Sequence, residues 1–139
     1  MTFSPDQLQI LNQLQAAIAE NATKKGFREI MVEGLTPEQI DGPIGRLVRA
    51  ATYTANAHGE TSEFWEAFRR GNLDELCDKA EEMAKLGLPP LTCAEEEIAD
   101  EIIRALDKAH AFGVDAAKAI ATKHAYNLTR PMRHGGKKA

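Results

Sequence analysis

IGRLVRAATYTANAHGETSEFWEAFRRG, residues 44–71, is the stretch that decides the fold. Leu47, Val48, Ala51, Ala55 and Ser62 keep to one stripe at helical spacing, and no proline interrupts the chain from Ile44 until Pro89. The pattern predicts a long helix ending near Gly71-Asn72. Toward its end Glu60 and Glu63 stand three apart, an arrangement that suits a solvated helix face or half of a metal site.

The segments on either side are helical too. Ser4-Pro5 supplies an N-cap and a favoured first helical residue, and Leu8, Leu11, Leu14 and Ile18 recur at helical spacing as far as Asn21. Residues 24–43, punctuated by Gly26, Gly34, Gly42 and Pro43, form a connector with at most a short helix after Thr36-Pro37. Residues 73–87 carry a weaker helical pattern that stops at Gly87 before Pro89-Pro90. Thr92 and Glu95 form a T-x-x-E capping box, after which Ile98, Ile102, Leu106 and Ala109 continue a stripe to Phe112-Gly113. Asp115 caps a last helix through about Tyr126, and residues 128–139 are expected as an extended basic tail. Nothing alternates like a strand. The expected fold is all-α, a four-helix-bundle-like single domain over residues 1–139, with a short extra helix between the two acidic helices.

Composition limits the function classes. With 43% hydrophobic and 27% charged residues and a net charge of −4, the 139-residue chain has the make-up of a soluble globular protein. Bulk charge does not favour stable nucleic-acid binding. No run approaches the roughly 18 apolar residues of a membrane helix. The start, MTFSPDQLQILNQLQ, lacks a basic segment followed by an apolar one, so a cytoplasmic chain is expected. Cys77 and Cys93 lack CxxC spacing and read as structural thiols.

Positions three apart on a helix point to nearly the same side. Glu60 with Glu63 is one carboxylate pair and Glu97 with Asp100 another, with 33 residues between Glu63 and Glu97 for the chain to turn back. Four oxygen ligands from two antiparallel helices suit Mg²⁺, with Mn²⁺ as a substitute. Taken singly, each pair is more commonly a solvated face. At about 100° per residue Glu60 and Glu63 flank their apolar stripe, whereas Glu97 and Asp100 lie opposite Ile98, Ile102 and Leu106. The second pair is therefore exposed unless a neighbouring helix or another subunit closes over it, and crowded carboxylates there would call for a cation.

The order and context of the motifs carry a resemblance. KKGF at residues 24–27, HGETSEFWEAFRRG at 58–71, EEEIADEIIRALDKAHAFGVD at 95–115 and KHAYNLTRPMRHGGK at 123–137 resemble the MazG-like superfamily of all-α nucleoside triphosphate pyrophosphohydrolases and the related dimeric dUTPase-like enzymes. The family mark is an E-x-x-E pair followed by an E-x-x-D pair. The resemblance implies a MazG-type fold in which Glu60, Glu63, Glu97 and Asp100 are metal ligands. It also implies Mg²⁺-dependent cleavage of a (d)NTP to the (d)NMP and pyrophosphate, by a homodimer or homotetramer. Many relatives carry a further carboxylate just before the first Glu, where this chain has Gly59.

After Asp115 the chain has no acid but six of its Lys and Arg. Lys123 and Asn127 are four apart on the last helix and are followed by Arg130, so they offer donors to triphosphate oxygens. The resemblance links the same K-x-x-x-N-x-x-R run to the nucleotide. Arg133, Lys137 and Lys138 read equally as a basic tail. Trp65 either fills the core, the reading favoured locally, or stacks on a base. Tyr53, Asn56 and His58 could help to form a base pocket, and His110, at i+3 from Asp107, receives no role. Glu60, Glu63, Lys123 and Arg130 are the expected catalytic residues, with Lys123, Asn127, Arg130, Asn56 and Trp65 binding substrate. Two other classes remain open, a non-catalytic helical interaction module and a di-iron bundle. The latter lacks the Glu-x-x-His pairs it needs.

Overall fold

Ser4 and Pro5 start the first helix. The Ser4 hydroxyl accepts the Gln7 N–H, the Gln7 side chain accepts the Ser4 N–H, and α1 runs Pro5–Lys24. The computed structural model describes residues 3–131. The remaining elements are α2 (Phe27–Met31), α3 (Pro37–Asp41), α4 (Pro43–Arg70), α5 (Ala80–Lys85), α6 (Cys93–Ala111) and α7 (Ala116–Leu128). Among the described residues the chain is all-α, with one isolated antiparallel bridge between Leu76 and Thr92. The expected positions of Arg133, Lys137 and Lys138 lie outside the described residues.

Local chemistry accounts for most helix ends. Thr92 and Glu95 form the expected reciprocal cap, Thr36 and Gln39 form a second, and Asp115 accepts the Lys118 N–H at 2.9 Å. Two segments differ from expectation. The connector holds an additional helix, α2, because Gly26 at φ 72° ends α1 and redirects the chain. Residues 73–87 are helical only over Ala80–Lys85. The segment before it bonds instead to the start of α6: Cys77 N–H donates to the Leu91 carbonyl, and Cys93 N–H to that of Glu75. Amides engaged across the chain cannot also extend a helix.

The long helices α4 and α6 form the central pair, with α1 packed on α6, α3 on α4 and α7 on α1. Gly45 has no space for a Cβ against the Ile40 backbone, which is what lets α3 seat on α4. Gln15, 7% exposed, donates from Nε2 to the Val114 carbonyl at 2.8 Å and accepts the Ala116 N–H at 3.1 Å. Both ends of its amide are satisfied, so it fastens α1 to the start of α7.

The rotation of α6 reverses the expectation for its faces. Leu106 is buried, but Ile98 and Ile102 are 47% and 52% exposed, while Glu96 and Asp107 are buried. The acidic side of α6 faces the bundle and much of its isoleucine stripe faces outward. Glu97 and Asp100 are thus covered by α4 of the same chain, and the surface left without a cover is apolar. No helix among the described residues is long and apolar enough to cross a membrane.

Candidate metal centre

Glu60 and Glu63 sit one turn apart on α4, and α6 lies along that face carrying Glu97. One carboxylate oxygen from each of the three lies within 4.8 Å of the other two. Glu60 is buried, Glu97 half-buried and Glu63 exposed, so the group opens to solvent at Glu63. Asp100, one turn further along α6, lies outside this trio. Burial, followed by the charge of Glu60, holds its carboxyl above the ordinary value.

Glu97 shows the strain of this arrangement most clearly. Burial first, then the charges of Glu63, Glu96 and Asp100, push its carboxyl up to about 7. Its Oε2 is enclosed and has no hydrogen-bond partner. Crowded carboxylates disfavour each other's ionised forms, and a cation between them removes that penalty. An all-oxygen donor set suits a hard divalent ion such as Mg²⁺ or Mn²⁺.

Cations of the chain itself compensate only the edges. Arg104 Nε donates to Glu60 Oε1 at 2.7 Å, and Lys79 Nζ donates to Glu96. The Glu96 carboxylate raises the Lys79 ammonium in turn. Sequence reasoning missed Arg104, Lys79 and Glu96. Arg104 could have been found, because it lies four residues after Asp100 on the same face of α6. Lys79 carries no such signal, since the turn before α5 brings it to the site.

Beside the trio is a pocket of about 470 Å³, lined by Glu63, Glu97, Lys79, Arg70, Asn72 and Cys93 among others. Asn72 Oδ1 is enclosed there without a partner. The volume falls within the range of small-molecule sites, roughly 300–1,000 Å³.

The other predicted residues are more dispersed. Asn56 is half-buried, one turn before Glu60 on α4. Tyr53 is buried and His58 exposed. Trp65 is 58% exposed and stacks on Phe68 with ring centroids 5.3 Å apart, which corrects the core reading. Both rings project from the outer side of α4. Lys123 and Asn127 on α7, and Arg130 just beyond it, are all exposed. Lys123 Nζ lies 4.9 Å from the centre of the Tyr126 ring. None of the three lines the pocket beside Glu63 and Glu97. At Gly59 an added Cβ would meet nothing within 4 Å. Comparison with protein-family models, curated proteins and solved structures finds no match to this chain.

Proposed function

We propose that this chain is a Mg²⁺-dependent nucleoside triphosphate pyrophosphohydrolase of MazG-like type. It would hydrolyse (d)NTPs between the α and β phosphates in cytoplasmic nucleotide-pool housekeeping. The observation that carries this reading is the convergence of Glu60, Glu63 and Glu97, with an enclosed, unpartnered oxygen on Glu97. The order of the sequence motifs supplies the reaction class. A divalent cation held by these residues, with Asp100 beside them, would supply charge neutralisation at the phosphoryl oxygens and favour attack of water on the α phosphorus.

The chain's own side chains divide the remaining work. Arg104 orients Glu60 through its 2.7 Å hydrogen bond. Lys79 and Arg70 line the adjacent pocket and offer donors to phosphate oxygens. Lys123, Asn127 and Arg130 act in this reading on substrate held by a neighbouring copy, in a homodimer or homotetramer. The uncovered apolar side chains support such an assembly: Leu47 is 69% exposed, and Ile98 and Ile102 about half.

Pyrophosphate release should be measured with Mg²⁺ over a panel of canonical and modified triphosphates. The expected result is turnover by the wild type and its loss in the Glu63→Gln/Asp100→Asn double variant. An active double variant would sink the proposal. The exposed isoleucines also favour a second reading, a non-catalytic helical interaction module, which predicts no turnover and no stabilisation by Mg²⁺ with nucleotide.

A further inference from the structure

A mostly apolar pocket of about 270 Å³ lies between α1 and α6, lined by Ile18, Asn21, Phe27, Ile103, Arg104 and Asp107 among others. Phe27 is 47% and Ile103 41% exposed, so a ligand can reach both. One side chain joins this pocket to the carboxylate group. Arg104 lines it and donates from Nε to Glu60 Oε1 at 2.7 Å. That bond occupies a single N–H of the guanidinium. Among the described residues the two terminal nitrogens of Arg104 have no hydrogen-bond partner, and neither is enclosed.

Two unlike pockets therefore flank the trio. On α6, Cys93 and Glu96 of the polar pocket precede Glu97, and Arg104 follows Glu97 by seven residues, about 10 Å along the axis. On α4 the order is reversed: Glu63, Glu66 and Arg70 of the polar pocket come after Glu60, which meets Arg104. The polar pocket carries Arg70 and Lys79, whose side chains are 68% and 58% exposed. The apolar one has Arg104 at its junction with the trio, and its other charged group, Asp107, is a carboxylate already paired with Arg28. A run of phosphates needs several cationic donors, which the polar pocket supplies. A flat heterocyclic base needs apolar walls, which the other supplies.

We infer that the substrate lies across the trio in one direction. The nucleoside occupies the α1–α6 pocket against Phe27 and Ile103, the terminal phosphates point toward Lys79 and Arg70, and the free nitrogens of Arg104 hold the α-phosphate between them. This inference rests on the pyrophosphohydrolase reading and adds a division of labour to it: Arg104 touches the half that leaves as the monophosphate, and Lys79 the half that leaves as pyrophosphate. A guanidinium tied at Nε still presents a two-pronged N–H edge to a phosphate, and its bond to Glu60 fixes where that edge points.

The test uses the full chain with Mg²⁺, titrated separately with deoxynucleoside monophosphates and with inorganic pyrophosphate, and read from backbone amide NMR shifts. The monophosphates should shift residues 17–22, Phe27 and residues 103–107, whereas pyrophosphate should shift Asn72, Lys79 and Glu96. Arg104→Gln should weaken the monophosphates about tenfold and pyrophosphate by less than about threefold, and Lys79→Gln should do the reverse. Phe27→Ala removes an exposed ring at little risk to the fold; it should weaken the monophosphates about fivefold and leave ribose 5-phosphate binding unchanged. The inference is overturned by exchanged shift patterns, by equal weakening of both ligands in Arg104→Gln, by an unchanged monophosphate affinity in Phe27→Ala, or by no monophosphate binding in the wild type. Triphosphate turnover with exchanged patterns sinks the direction and leaves the activity standing. The expected patterns in a chain without turnover sink the activity and keep the direction of binding.

Discussion

Glu97 allows the cost of the carboxylate group to be measured as stability in the presence of a chelator. Its carboxyl is raised from 4.5 to about 7 in the folded chain. A folded value above the unfolded one means that folding favours the protonated form. The contribution is therefore fully present below about pH 4.5 and is lost as pH rises through 7. At about 1.4 kcal/mol per pKa unit the whole shift corresponds to about 3 kcal/mol. Glu97 is only half-buried and the group opens to solvent at Glu63, so screening reduces this to about 1–2 kcal/mol. Glu97→Gln removes the charge at nearly constant shape. Urea unfolding in EDTA at pH 8 should find the variant more stable than wild type by about 1–2 kcal/mol, with the difference vanishing near pH 4.5. Adding Mg²⁺ or Mn²⁺ should stabilise the wild type more than the variant. A variant less stable than wild type at pH 8 in EDTA, or a difference that does not change with pH, would refute the reasoning.

Other perturbations test neighbouring parts of the structure. Arg104→Ala leaves the buried Glu60 carboxylate without its donor and should destabilise the metal-free chain by about 1–3 kcal/mol, an effect largely abolished in a Glu60→Gln background. Ile98→Glu/Ile102→Glu places charge on the outward side of α6; if the proposed assembly forms, sedimentation should find the wild type as a dimer or tetramer and the double variant as a monomer. Trp65→Ala should change the unfolding free energy from urea titration little, by less than about 1 kcal/mol, because most of the indole is already in water.

Helix ends were legible wherever they depend on chemistry within a few residues. The Thr92 capping box, the Asp115 cap and the long uninterrupted stripe from Ile44 each correspond to a helix with nearly the expected bounds. The exceptions have long-range causes. Residues 73–79 leave the helical pattern because the Cys77 N–H and the Leu73 and Glu75 carbonyls bond to residues beside the start of α6, and no local pattern reports a partner more than a dozen residues away. The site divides in the same way. E-x-x-E and E-x-x-D spacing places each acid pair on one side of its helix, but Lys79 arrives through a turn and Arg104 acts across the gap between α6 and α4.

By itself the sequence determined that the chain is helical, roughly where each long helix starts and stops, and which acids share a helix face. Only the tertiary structure decided which way those faces turn. A helix has its apolar and polar sides whatever surrounds it, but the direction each side points depends on the neighbours that cover it. Here α4 covers the acids of α6, leaving Ile98 and Ile102 outside. It also leaves Trp65 in solvent, pushes Glu97 up to about 7, and brings three carboxylates from two helices within 4.8 Å of one another.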